Sequence, residues 1–361
     1  MILPGEDNKA FRAVVIISFF QLRHSGKSNQ GCSKMLSAAG ASPNRPGYFC
    51  TVLSFASNES PLEFLFEKEG VQLWVKRDDL LHPEISGNKW RKLKYHYEAF
   101  RRGGFRQMLT FGGAFSNHLA ALAALGKETG TPAYGLVRGE EVKDNATLAF
   151  CRSCGMEIES LSRKRYALKD DPDFLAELKQ WLPEVYLIPE GGKGLAGAQG
   201  CREIAAELPS DTDFLALPAG TGTTAAGLLA AQPSYPLLVF PALKGARFLR
   251  RAIVEQALAL QEKPLPGPEK LRFFLDYHGG GYGKAPPDLI AFMNRFYREY
   301  ELKLDPVYTG KMFFGLVELI NQGYFPRGSK VVALHTGGLQ GIAGMNAHLA
   351  SKKQNTLIYE A

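Results

Sequence analysis

From about Thr51 onward, short continuous apolar runs alternate with longer segments whose apolar residues recur every three or four positions. The first pattern predicts strands buried on both faces, the second helices with one apolar side. Strands are expected at Val71 to Arg77, Gln107 to Phe111, Ala133 to Val137, Met156 to Leu161, Val185 to Ile188, Asp213 to Leu217, Pro236 to Phe240, Leu271 to Leu275 and Lys330 to Leu334. Helices are expected at Ser116 to Thr129, Asp144 to Cys154, Pro172 to Leu182, Leu195 to Leu208, Ala225 to Ala231, Ala246 to Leu260, Pro287 to Tyr300 and Lys311 to Asn321. Another helix opens within Ser86-Gly87-Asn88-Lys89-Trp90-Arg91-Lys92-Leu93. Strands alternating with helices of roughly 10–15 residues indicate a parallel α/β architecture.

Such sheets bind ligands beyond the carboxyl ends of their strands. Glycine-rich turns sit at four of these ends, at 112–113, 191–192, 220–222 and 337–338, more than packing requires. The sharpest is Leu217-Pro218-Ala219-Gly220-Thr221-Gly222-Thr223-Thr224, a buried strand entering a Gly/Thr loop before a small-residue helix. Backbone N–H groups and threonine hydroxyls there suit a phosphate at a helix N-terminus. The loop lacks the Lys-Ser/Thr of a P-loop and the spacing of a dinucleotide fingerprint, so a monophosphate is expected. A well-capped tight turn is the plain alternative.

Lys89 stands at a helix start, behind a glycine that lets the chain bend and an asparagine that can cap. The positive end of the helix dipole disfavours its ammonium, which prepares an amine for condensation with a carbonyl. Alternatively it is one surface lysine in a basic face with Arg91, Lys92 and Lys94. Gly112-Gly113-Ala114-Phe115-Ser116-Asn117-His118 places a hydroxyl, an amide and an imidazole at another helix start. Ser116 there is equally an N-cap, and no triad partner supports a hydrolase. An activated lysine, a phosphate loop and a Ser-Asn pair together point to pyridoxal phosphate.

Composition narrows the picture further. The 361 residues, 45% hydrophobic, suffice for two lobes. The charge of +7 is scattered, not gathered into a run or an aromatic-rich motif, so small anions are favoured and nucleic acid is not. Five cysteines without disulfide spacing fit a reducing compartment, and a cytoplasmic protein is expected. Cys151-Arg152-Ser153-Cys154 has no second pair to complete a metal site, so it reads as structural and no metal is expected. No run reaches the ~18 apolar residues of a membrane span. Ala13 to Phe20 resembles a short signal core but lacks a convincing cleavage site. Residues 1–50 are expected to be a poorly ordered extension, with Met35 an alternative initiator.

Six ordered motifs then become recognisable: Ser86-Gly87-Asn88-Lys89-x-Arg91-Lys92, Gly113-x-x-Ser116-Asn117-His118, Gly220 to Thr224, Gly281-Tyr282, Asp305-Pro306-Val307-Tyr308-Thr309-Gly310-Lys311 and His335-Thr336-Gly337-Gly338. They resemble the 1-aminocyclopropane-1-carboxylate deaminase / D-cysteine desulfhydrase family of fold-type-II pyridoxal-phosphate enzymes, over roughly Pro61 to Leu349. The resemblance implies a two-lobed α/β fold of parallel twisted sheets flanked by helices, like the tryptophan synthase β subunit. The larger lobe is expected from 51–92 plus 188–361 and the smaller, closing over substrate, from 93–187. Lys89 matches the Schiff-base lysine that later moves the Cα proton. Asn88 and Asn117 match asparagines near the cofactor, Asn117 facing the ring hydroxyl. Ser116 lies beside the substrate carboxylate, with His118 in the same substrate-binding motif. Gly220, Thr221, Gly222, Thr223 and Thr224 match the phosphate cradle. Tyr282 and Tyr308 match two tyrosines that contact substrate and relay protons.

Deaminases of this family carry Glu after the second tyrosine and Leu after the final histidine. Here those positions are Thr309 and Thr336, as in desulfhydrases; both are expected to bind the cofactor, Thr336 as the partner of the ring nitrogen with Thr309 close by. Lys193 departs from the Ser or Thr of relatives. The resemblance therefore implies β-elimination from D-cysteine, with cyclopropane-carboxylate deamination as the alternative and a cofactor binder without turnover as a third reading. It also implies a homodimer acting on a small amino acid.

Overall fold

The computed structural model describes residues 59–140, 145–261 and 264–360. The extension expected at 1–50 lies outside the described residues. Ten strands appear among them, in chain order β1 (Leu62–Lys68), β2 (Val71–Lys76), β3 (Gln107–Gly112), β4 (Ala133–Arg138), β5 (Glu157–Leu161), β6 (Val185–Ile188), β7 (Phe214–Ala219), β8 (Leu237–Pro241), β9 (Leu271–Phe273) and β10 (Lys330–Leu334). They form a six-stranded sheet, β1-β2-β10-β7-β8-β9, and a four-stranded sheet, β5-β4-β3-β6. Every pairing is parallel except that of β1 with β2.

The parallel strands are apolar on both faces because helices cover both. Along β10, Val331 and Ala333 join one core cluster while Val332 and Leu334 join another; β8 divides the same way, Leu238 and Phe240 against Leu237 and Val239. The first cluster takes its other half from the helices Pro287–Tyr300 and Thr309–Asn321, the second from Thr223–Ala230 and Phe248–Leu258. A third cluster joins the smaller sheet to the helices Asn88–Arg102 and Asn117–Thr129.

β6, β10 and the Pro287–Tyr300 helix stand where periodicity placed them. β1 was not expected. It is an edge strand with no fully buried position, so it lacks a core signature. It pairs with β2 through Glu69 and Gly70, both at positive φ (54° and 74°), the twist a two-residue hairpin needs. The helix Ile342–Ser351 was also unexpected. The helix expected to reach Leu208 ends at Arg202 and tightens into a 3-10 segment, Glu203–Glu207. Both glutamates of that segment turn toward basic side chains: Glu203 accepts from Lys94 (2.8 Å) and Glu207 from Arg91 (2.6 Å).

The reading of Arg91 and Lys92 as solvated helix-face charges is corrected, because both are buried. The Arg91 guanidinium meets Asp78 at 2.7 Å and Glu207 at 2.6 Å, and Lys76 closes the network on Glu207 at 2.7 Å. A basic helix face can turn inward when carboxylates from other elements converge on it.

Candidate active site

A cavity of about 470 Å³ opens beyond the carboxyl ends of the parallel strands. Its wall is built from the Asn88 helix start, the 113–118 turn, Gly191, the 218–225 loop, both tyrosines and 336–338. Two sheets thus contribute to one site, and the four glycine-rich turns converge as their positions required.

Lys89 sits in the first turn of the Asn88–Arg102 helix. Its Nζ donates to Asn88 Oδ1 (3.0 Å), and Asn88 Nδ2 donates to Thr224 Oγ1 (3.0 Å), tying the lysine to the Gly/Thr loop. The helix cap is Gly87 and not Asn88, whose amide is used across the cavity. Burial lowers the Lys89 pKa to about 7, helped by the Lys92 ammonium and opposed by Cys201 and Asp305. Desolvation is thus the leading cause, where the sequence pointed to the helix dipole.

Gly222 adopts φ 78° just before the helix Thr223–Ala230, and a Cβ there would lie 2.7 Å from Ile253. The glycine therefore lets the loop pack on its neighbour, and the first residues of the helix, whose N–H groups have no intrahelical partner, line the cavity. Thr221 and Thr223 hydroxyls lie 3.0 Å apart, and Thr223 donates to Gln256 (3.0 Å). Lys92 reaches the same cavity, its pKa lowered by burial. A cavity of this size with an amine able to form a covalent link, an N–H-lined turn and a second lysine fits pyridoxal phosphate. The Lys92 contribution was legible only as an i, i+3 partner of Lys89.

Ser116 lines the cavity and also caps its helix, accepting from Leu119 N at 3.3 Å. Asn117 lies against the 336–338 turn, where a Cβ on Gly338 would meet its Nδ2 at 2.7 Å. His118 is buried, with Nε2 3.0 Å from Thr110 Oγ1. Thr110 spends its proton on Ile188 O, which assigns the hydrogen to Nε2 and leaves Nδ1 as an acceptor with no partner. Burial holds His118 well below its usual pKa, so the ring is neutral.

Tyr308 donates to Tyr282 across 3.4 Å, the rings meeting edge to face with centroids 6.0 Å apart. Tyr308 packs on Gly220, where a Cβ would lie 3.1 Å from its ring. Burial and the Tyr282 hydroxyl raise the Tyr308 pKa well above that of an ordinary phenol.

The two threonines separate. Thr336 lines the cavity, whereas Thr309 is fully buried and outside the wall. Sequence reasoning missed Asp305, the residue that holds Thr309. Its carboxylate accepts the N–H groups of Val307, Tyr308 and Thr309 at 2.9, 2.9 and 2.7 Å, capping the Thr309–Asn321 helix. The signal available was an Asp-Pro just ahead of a helix. Lys193 pairs with Asp170 at 2.8 Å instead of facing the cavity, and Glu190 at the wall accepts from Tyr166 at 2.7 Å. Cys151 and Cys154 are buried, and burial pushes the Cys151 thiol up to about 12. Among the described residues no helix is long and apolar enough to cross a membrane.

Residues 55–337 match the family model of pyridoxal-phosphate dependent enzymes. A Pyrococcus horikoshii protein provisionally named 1-aminocyclopropane-1-carboxylate deaminase is 31% identical over 299 residues, 78% of this chain and 90% of its own. D-cysteine desulfhydrase of Yersinia enterocolitica is 27% identical over 311 residues, 79% of this chain and 93% of its own. The crystal structure of an ACC deaminase homologue superposes with a TM-score of 0.72 at 26% identity, covering 85% of this chain and 99% of that one.

Proposed function

The chain belongs to the pyridoxal-phosphate-dependent enzymes, in the 1-aminocyclopropane-1-carboxylate deaminase / D-cysteine desulfhydrase family, and from that premise we propose that it eliminates thiolate from D-cysteine. The products are pyruvate, ammonia and sulfide. The observation that carries this reading is the neutral Thr336 hydroxyl at the cavity wall, with Thr309 turned away to Asp305.

When bound, pyridoxal phosphate supplies an electron sink for negative charge at the substrate Cα. A carboxylate beside its ring nitrogen would keep that nitrogen protonated and deepen the sink; a threonine hydroxyl does not. A shallower sink suits a substrate whose β substituent departs promptly, as thiolate does, better than an unactivated cyclopropane.

In this reading Gly220 to Thr224 and Lys92 hold the phosphate. Lys89 carries the covalent attachment and, once released, takes the Cα proton; its depressed pKa leaves much of it as free amine near neutrality. Ser116 and the N–H groups at the start of the Asn117–Thr129 helix hold the substrate carboxylate. Tyr282, whose hydroxyl accepts from Tyr308 and so keeps its own hydrogen, donates to the departing sulfur, with Tyr308 behind it. The smaller lobe, 93–187, brings Ser116 over the substrate.

Keto-acid release from D-cysteine, L-cysteine and 1-aminocyclopropane-1-carboxylate tests the proposal. Pyruvate and sulfide from D-cysteine are expected, lost in Lys89→Ala. 2-Oxobutanoate from the cyclopropane substrate, with no pyruvate from D-cysteine, would overturn it in favour of the deaminase.

A further inference from the structure

Lys311 closes the Asp305-to-Lys311 motif, but it does not line the cavity and forms no ion pair with a carboxylate among the described residues. It is 2% exposed, and burying an ammonium is costly unless its hydrogens are used. Nζ donates to the backbone carbonyl of Gly281 at 2.8 Å. Its Cε would lie 3.2 Å from a Cβ on Gly279, so the side chain touches the first part of the turn at Gly279 and Gly281.

That turn is Gly279-Gly280-Gly281-Tyr282-Gly283, with φ of 58°, 87° and 122° at the first three positions and 68° at the last. Four glycines in the left-handed region give a backbone with little conformational preference of its own. The remaining backbone hydrogen bonds of the turn close locally: Gly280 N to His278 Nδ1 (3.0 Å), Gly281 N to His278 O (3.1 Å) and Lys284 N to Gly281 O (3.2 Å). Lys311 ties it from outside. The same lysine lies three residues after Tyr308 on one helix face, so a single helix start presents Tyr308 directly and reaches the backbone that carries Tyr282.

We propose that Lys311 is a positioning residue that fixes the glycine turn and thereby sets the Tyr282 hydroxyl against that of Tyr308. The proposal rests on the reading above for what the tyrosine pair does, but not for how the turn is held. A methionine would fill the same volume without the desolvation cost, so packing alone does not call for an amine here. Burial lowers its pKa to about 8 with Asp305 opposing, so the group is still mostly an ammonium at neutral pH. What it contributes is a directed N–H donor.

The test uses the cofactor-loaded protein with Lys311→Met, Lys311→Gln, Tyr282→Phe and the double variant Lys311→Met/Tyr282→Phe. Amide hydrogen exchange over 278–284 is expected to accelerate at least about tenfold in Lys311→Met, while exchange in Phe313 to Leu319 stays unchanged. Lys311→Gln, which keeps an N–H donor, is expected to restore part of the protection and stands in if the methionine variant folds poorly. On whichever amino acid is turned over, Lys311→Met is expected to lower kcat about as much as Tyr282→Phe, and the double variant to be no slower than Tyr282→Phe alone. Unchanged exchange in the turn, or losses that multiply in the double variant, would overturn the proposal. Failure of turnover on D-cysteine alone counts against the proposed reaction and leaves the exchange result to decide on Lys311.

Discussion

The Thr309 hydroxyl is engaged on both sides by Asp305: it donates to Oδ1 at 2.8 Å and accepts the Asp305 N–H at 2.8 Å. A side chain so occupied has no hydrogen left for a cofactor. The two threonines that mark this chain within its family therefore do different work, Thr309 holding a buried carboxylate and Thr336 facing the cavity.

Thr309→Val is accordingly expected to lower stability, because the Asp305 carboxylate loses a donor inside the protein. The buried Asp305 N–H also loses its acceptor, and stranding a buried donor costs about 1–3 kcal/mol. A lower urea midpoint with an unchanged visible spectrum is the expected result. Thr336→Ala should do the reverse, altering the spectrum of the bound cofactor with little loss of stability.

Lys89 gives a pH dependence with a definite sign. With its pKa lowered to about 7, the folded apo-protein presents a neutral amine above that pH, whereas an ordinary lysine needs about 10.4. Reattachment of pyridoxal phosphate to apo-protein, followed by its yellow absorbance, should speed up through a midpoint near 7. The depressed group binds fewer protons folded than unfolded, so its contribution to apo-protein stability should rise with pH from about 7 to 10.4. A midpoint above about 9 would show that burial does not act on Lys89 in this way.

Much of this was legible in the chain because it rests on local rules. Apolar runs at β6 and β10, glycines at strand ends and the Gly220–Thr224 loop each obey constraints acting over a few residues. What stayed hidden depended on distant partners. Arg91 and Lys92 look like solvent-facing charges until Asp78 and Glu207 are brought beside Arg91, which only the tertiary fold does. Asp305 looks like a turn residue until its three N–H bonds appear, and β1 has no core pattern because it lies at an edge. Thr309 and Thr336 were read as neighbours of one ring nitrogen, since no sequence rule reveals a hydroxyl already spent on a carboxylate.

Arg91 supports a prediction of its own. Its guanidinium is fully buried between Asp78 and Glu207, so Arg91→Met leaves two carboxylates with Lys76 as the one ion-paired cation, on Glu207, and Ser60 as a neutral donor to both. Breaking a buried pair in this way costs about 3–5 kcal/mol. Arg91→Lys should recover only part of it, because an ammonium cannot reproduce the two-pronged contact with Asp78. Denaturant midpoints of the three proteins check the order: wild type, then lysine, then methionine.

Gly87 supports the sharpest prediction. It adopts φ 65°, and a Cβ there would lie 2.0 Å from the Thr336 carbonyl oxygen and 2.8 Å from Gly337 N, both rigid backbone atoms. Gly87→Ala must therefore push the start of the Lys89 helix away from the turn that carries Thr336, separating two walls of the cavity. Gly104 provides the control. Its φ of 67° is nearly the same, but a Cβ there meets nothing within 4 Å. Gly104→Ala should pay only the backbone strain, about 1 kcal/mol, and keep its affinity for pyridoxal phosphate. Gly87→Ala should bind the cofactor at least about tenfold more weakly, the 1.4 kcal/mol that separates displacement of the site from strain alone. Titrating both apo-variants with the cofactor decides the matter: equal affinities would mean that the close approach of Gly87 to Thr336 does not hold the site together.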